Sequence, residues 1–152
     1  MKRAIYVLNG PNLNRLGTRE PAIYGTTTLA EVEAMCRKAS GERPLEFRQS
    51  NAEHQLVDWV HEAIDQGAGI VINPAGLSFR SIPLLDALKM FPGPIFELHI
   101  SNIHRREEIY QHSLISRVAT AVMMGLGPDG YPTAVSALAR LLQLQEPPQT
   151  MT

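Results

Sequence analysis

Glu97, His99 and Ser101 alternate in Glu97-Leu98-His99-Ile100-Ser101-Asn102, a spacing of two that puts their side chains on one face of a strand. Imidazole as a group suits proton transfer near neutral pH, and a histidine flanked by a carboxylate and a hydroxyl is active-site chemistry. A second polar cluster comes earlier, in Asn9-Gly10-Pro11-Asn12-Leu13-Asn14 followed by Arg19-Glu20-Pro21 and Tyr24-Gly25. It is rich in amides and proline and sets a guanidinium near a phenol, a composition suited neither to a core nor to a plain surface. It follows the apolar run Ala4-Ile5-Tyr6-Val7-Leu8, which reads as a buried strand. In open α/β sheets, ligands bind in the crevice beyond the carboxyl ends of the strands. An enzyme active site is therefore the leading reading.

The elements that must carry these residues alternate along the chain. Thr28-x-x-Glu31 is a capping-box pattern ahead of Leu29, Val32 and Met35. A strand is expected at Leu45–Arg48. Ser50-x-x-Glu53 is read as a second capping box, opening a helix with Leu56, Val57, Val60 and Ile64 on its apolar face. The run Gly69-Ile70-Val71-Ile72-Asn73 is nearly all apolar, as expected of a strand covered on both faces. Then come a helix near Ile82–Met90, strands near Ile95–Ile100 and Ala119–Met124, and a helix over Thr133–Leu144 with Pro132 near its start. Five β-α pairs imply a parallel sheet with helices on both faces and right-handed crossovers. Residues 1–144 are expected to form one domain, and residues 145–152 a disordered tail.

Polar groups fall where these strands end. They are Asn9 and Asn12, Gln49-Ser50-Asn51, Asn73, the Glu97–Ser101 set, and Gly125-Leu126-Gly127. Turn chemistry alone explains some of this, because Asn, Ser and Gly favour loops. It does not explain the set as a whole.

Composition sets outer limits. The chain has 152 residues, enough for one domain with a sizeable core, and its net charge of −1 argues against a partner such as nucleic acid that needs a large basic surface. Arg105-Arg106 is too short a basic cluster to change that. No apolar run approaches the ~20 residues that span a bilayer. The single cysteine, Cys36, excludes an internal disulfide. With no signal-peptide pattern in the opening residues, a cytoplasmic location is expected.

Many irregular motifs, in order, make the chain resemble the type II 3-dehydroquinate dehydratases over almost its whole length. They include Leu8–Asn14, Gly17-Thr18-Arg19-Glu20-Pro21, Ile23-Tyr24-Gly25, Arg48-Gln49-Ser50-Asn51, Asp58-Trp59-Val60-His61 and Ile72-Asn73-Pro74. Glu97–His104, Arg106-Glu107-Glu108, His112-Ser113, Gly125-Leu126-Gly127 and Gly130-Tyr131 continue the match. The resemblance implies a flavodoxin-like five-stranded parallel sheet, a homododecamer built as a tetramer of trimers, and no metal or organic cofactor. It implies a small ring carboxylate as substrate, which loses water by anti elimination through an enolate.

The resemblance also implies residue roles. Tyr24 is the general base that takes a proton from the carbon next to a ketone. A free phenol titrates near 10, so it must be shifted, and Arg19 is the expected source. A charge at about 4 Å in an effective dielectric near 20 is worth roughly 4 kcal/mol, or about three pKa units. His99 gives a proton to the departing hydroxyl, Glu97 orients it or holds it protonated, and Asn12 positions the water or amide dipole that stabilises the enolate. Asn73 and the backbone of Ile100 and Ser101 hold the substrate carboxylate. Asp86 reads ring hydroxyls across a subunit contact.

Two positions depart from the family pattern. Phe79 and Arg80 stand where most members have a histidine and a small residue, and Tyr110 stands where most have an arginine. In the family both positions face ring hydroxyls distal to the reacting centre. Either Arg80 swings inward as a replacement donor, or the pocket accepts a ring with fewer or different hydroxyls.

Other motifs carry less. Gly125-Leu126-Gly127-Pro128-Asp129-Gly130 spells G-x-G-x-x-G but lacks a following strand with an acidic residue about 20 positions on. His99, His104 and His112 lack the helical pair of a zinc protease. Cys36 and the methionines Met35, Met90, Met123 and Met124 read as core filling, and Trp59, His54 and His61 as helix-surface or subunit contacts. A dehydratase acting on 3-dehydroquinate leads. A paralogous lyase using the same tyrosine base, or an idle oligomeric binding protein, are the alternatives.

Overall fold

Side chains alternate along β1 (Ala4–Asn9), so that one apolar run feeds two cores: Ile5 and Val7 face one side, Tyr6 and Leu8 the other. The computed structural model describes residues 2–18 and 21–148, except for the side chains of residues 23 and 24. Strands β1, β2 (Leu45–Gln49), β3 (Gly67–Asn73), β4 (Ile95–His99) and β5 (Ala121–Met124) form one sheet in the order β2-β1-β3-β4-β5. Every neighbouring pair is parallel. This is the flavodoxin-like order, whose switch point lies between β1 and β3.

Helices cover both faces. On one, α2 (Leu29–Ser40) and α5 (Gly130–Gln145) bury Val32, Cys36, Val135 and Leu138 against Ile5, Val7, Val71 and Leu98. On the other, α3 (Glu53–Gln66) and α4 (Ile82–Lys89) bury Leu56, Val60, Leu84 and Leu88 against Tyr6, Leu8, Ile70 and Ile72. Each such aliphatic side chain contributes about 1.5–3 kcal/mol by leaving water. A single helical turn, α1 (Pro21–Tyr24), follows the loop after β1. No helix among the described residues is long and apolar enough to cross a membrane.

The Thr28 cap forms as expected, its hydroxyl accepting from the Glu31 amide at 3.2 Å. The second capping box does not. Ser50 Oγ accepts instead from the Ala52 amide at 3.0 Å, and Ala52 is the N-cap of α3. Glu53 turns away to accept from Ser81 Oγ at 2.7 Å. A partner 28 positions along the chain wins over the local reciprocal bond.

Of the five expected β-α pairs, four form, and the one after β4 does not. Among the described residues the β4–β5 crossover carries no α-helix, only single 3-10 turns at Ile103–Arg105, Glu108–Tyr110 and Ile115–Arg117. Polar side chains compete for its backbone. Asn102 accepts from the His104 amide at 3.1 Å, and Gln111 donates to the Arg106 carbonyl at 2.6 Å. Met90 is exposed, not core, because α4 ends at Lys89 and the chain turns out through it. Within the expected tail, Gln145 closes α5 and Glu146 pairs with the buried Arg43. Residues 149–152 lie outside the described residues.

Candidate active site

The carboxyl ends of β1, β3 and β4 meet around a cavity of about 210 Å³. Asn12, Asn73, His99, Ile100 and Ser101 line it on the strand-end side, and Ala75, Phe79, Ile103, Arg106 and Tyr110 supply the rest of its principal wall. A larger, shallow depression of about 1140 Å³ runs over α2 and α5. Lys2, Lys38, Arg43 and Arg140 are among the residues lining it, and it holds none of the polar residues at the carboxyl ends of the strands, which the smaller cavity gathers.

Gly10 lets the first loop reach this place. A Cβ there would meet the Pro74 carbonyl oxygen at 2.3 Å, so only glycine lets the loop press against the end of β3. Its amide donates to the Asn73 carbonyl at 2.9 Å. Asn12 then adopts a left-handed backbone with φ of 73°, its amide donating to Asn51 Oδ1 at 2.9 Å. Ala75 has φ of 52°. These are the two non-glycine residues with positive φ among the described residues, and both line the cavity. Backbone strain of about 1–3 kcal/mol per residue collects at functional sites.

Below the cavity lies a bonded floor. Asn9 and Asn73 are register partners at the ends of β1 and β3, and both are buried. Asn73 Nδ2 donates to Tyr131 Oη at 2.9 Å, and that hydroxyl donates on to Asn9 Oδ1 at 2.7 Å. Asn9 Nδ2 donates to the Arg48 carbonyl at 3.1 Å, and the Ala75 amide donates to Asn73 Oδ1 at 3.2 Å. An amide nitrogen has two hydrogens, and among the described residues only one from Asn73 is used, so the other is available to the cavity. Ile100 and Ser101 donate their amides to no other backbone group among the described residues.

Glu97 and His99 project from β4 on the α3–α4 side, with Ile95. Glu97 is fully buried, and a buried carboxylate is costly unless bonded. It pairs with His99 Nε2 through one oxygen and accepts from Ser116 Oγ at 2.6 Å through the other. Burial, the largest single influence, pushes its carboxyl up. The bonds from His99 and Ser116, with help from Ser113, outweigh it and hold the carboxyl below the ordinary carboxylate value. An ionised, immobile carboxylate thus fixes one ring nitrogen of His99, whose ring lines the cavity.

Phe79 and Tyr110 close the far side. The Phe79 ring lies 6.4 Å from that of His99, 26° from parallel, and meets the Tyr110 ring edge-on at 5.6 Å. The Arg106 guanidinium sits 4.1 Å over the Tyr110 ring.

The structure therefore gathers Asn12, Asn73, His99, Ile100 and Ser101 at one cavity, with Glu97 directly behind His99. It does not bring Arg80 or Asp86 there, since both are exposed and neither lines it. Arg19 and the side chain of Tyr24 lie outside the described residues. Sequence reasoning missed Ser116 and gave Tyr131 no role. Tyr131 carried a readable signal, because it opens the apolar series Tyr131, Val135, Leu138, Leu142 of α5, and a buried phenol needs a partner. Ser116, 19 positions from Glu97 in an irregular crossover, carried none.

Comparison with known proteins agrees with this architecture. Residues 3–139 match the family model described as dehydroquinase class II. A 3-dehydroquinate dehydratase from Salinispora tropica is 52% identical over 137 residues, covering 89% of this chain and 96% of that protein. One from Chelativorans sp. is 51% identical over 145 residues, covering 93% and 100%. Among solved structures, the type II dehydroquinase from Propionibacterium acnes superposes with a TM-score of 0.87 at 45% identity, covering 92% of this chain and 98% of that one. Matched by the family model over residues 3–139 and covering nearly the full length of its relatives, this chain belongs to the class II dehydroquinase family.

Proposed function

We propose that the chain dehydrates 3-dehydroquinate to 3-dehydroshikimate by anti elimination through an enolate. The observation that carries this reading is the buried Glu97–His99 pair facing a small strand-end cavity, in a chain about half identical to proteins named for that reaction. Tyr24, as phenolate, removes a proton from the carbon next to the ketone, and the electron pair moves onto the ketone oxygen. Asn12 orients the water or amide dipole that stabilises the resulting enolate. The enolate then reforms the carbonyl and expels the β-hydroxyl, which takes a proton from His99 and leaves as water. The proton on Tyr24 returns through solvent to His99, so the enzyme ends as it began.

Arg19 lowers the phenol's pKa by its positive charge. Glu97 holds the protonated imidazole in place. The second hydrogen of the Asn73 amide and the uncommitted amides of Ile100 and Ser101 suit a substrate carboxylate. Asp86, exposed on α4, serves the site of another copy in a homododecamer built as a tetramer of trimers. Exposed Ile82, Met90 and Val122 give such an assembly apolar surface to cover. The enzyme works without a metal or organic cofactor, in the cytoplasm.

The test follows absorbance of the conjugated enone when 3-dehydroquinate is added to purified protein. Turnover that Tyr24→Phe abolishes supports the reading, and a parent protein that produces no enone overturns it.

A further inference from the structure

The two positions at which this chain departs from the family pattern touch each other, and the contact has a consequence for specificity. Phe79 ends a 3-10 turn, Ala75–Phe79, that follows β3, and Tyr110 ends another, Glu108–Tyr110, in the β4–β5 crossover. The rings meet edge-on at 5.6 Å, within the range of a favourable aromatic pair, so the two turns are clasped together. The free face of Phe79 is turned to His99, and Ala75, Gly76 and Ile103 extend the same apolar lining. Arg106 is the one guanidinium lining the cavity among the described residues, and it lies over the Tyr110 ring. Arg80, the side chain expected to restore a donor to this turn, is exposed and outside the cavity.

From this geometry we infer that the cavity, through Phe79, reads the distal edge of its substrate by apolar contact on this chain's side, with hydrogen bonds to ring hydroxyls left to Asp86 of another copy. It accepts cyclic β-hydroxy ketone carboxylates whose remaining ring carbons are bare or carry fewer hydroxyls. The inference deepens the dehydratase reading above and rests on it for the reacting end of the molecule. A ring hydroxyl placed against Phe79 loses water and gains no partner, so its presence weakens binding and its removal carries no penalty there. A site that bonds a hydroxyl rejects the analogue lacking it by about 10⁴–10⁵-fold, whereas an apolar pocket discriminates by only about 10²-fold.

The experiment compares kcat/KM of the intact protein for 3-dehydroquinate and for an analogue lacking the ring hydroxyls that the elimination retains. A ratio below about 10³ is expected. A larger ratio overturns the inference while leaving the dehydratase reading intact, whichever group does the discriminating. Phe79→His is expected to raise the ratio, and an unchanged ratio removes Phe79 from the account. Should neither compound turn over, the dehydratase reading fails, and equilibrium binding of the same pair still decides the specificity. Affinities within about tenfold support an apolar wall, and a greater loss for the analogue contradicts it.

Discussion

The floor of the cavity and its far wall are built by different means. The floor stands on the ends of three central strands and is held by a chain of bonds through Asn9, Tyr131 and Asn73, with the Glu97–His99–Ser116 set beside it. The wall stands on short 3-10 turns and is held by ring contacts among Phe79, Tyr110 and Arg106. A buried polar network fails when any member is removed, because its neighbours are left unbonded in a low dielectric. Ring contacts on exposed turns tolerate exchange, since each is worth only about 0.5–1.5 kcal/mol. On the proposed function, chemistry is anchored where substitution is costly, and selectivity is placed where substitution is cheap.

Tyr131→Phe tests the costly side. It removes one hydroxyl but leaves both the Asn9 oxygen and an Asn73 hydrogen buried without a partner. A loss of about 1–3 kcal/mol per stranded group is expected, read as a lower urea midpoint at unchanged slope. KM should rise as well, because Asn73 loses its orientation. Tyr110→Ala tests the other side. It should cost only about 1–2 kcal/mol for the lost edge-to-face and cation–π contacts. If it unfolds the protein, or if Tyr131→Phe is silent, the contrast is wrong.

The smallest effect is a slope with pH. Glu97 has its carboxyl held below the ordinary value in the fold, so the unfolded chain binds that proton more readily. Its contribution to stability is complete above the unfolded carboxylate value and is lost as pH falls through the lowered folded one. Urea midpoints taken from neutral pH into the acid range should fall less steeply for Glu97→Gln than for the parent. Tyr110→Ala should keep the parental slope.

How much of this was legible in the sequence follows from the same division. The apolar runs of β1, β3 and β4 and the polar groups after them were readable, because strand periodicity and the strand-end rule act locally. So was the Thr28 cap. The Ser50–Glu53 box misled because Glu53 bonds Ser81, a partner that only the packing of α3 beside the start of α4 supplies. The missing crossover helix has its cause in Asn102 and Gln111, whose side chains bond their own backbone. Phe79 and Tyr110 stood out singly as departures, yet nothing in a spacing of 31 positions shows that one ring rests against the other.

The central claim is that a buried, ionised Glu97 holds His99 ready to protonate the leaving hydroxyl. Glu97→Gln keeps the size of the side chain and removes its charge, so steady-state turnover of 3-dehydroquinate by this variant is the most direct measurement. The account predicts that kcat falls by at least about 100-fold while KM stays near the parental value. A variant that turns over at the parental rate would show that the imidazole needs no carboxylate behind it, and the account would be contradicted.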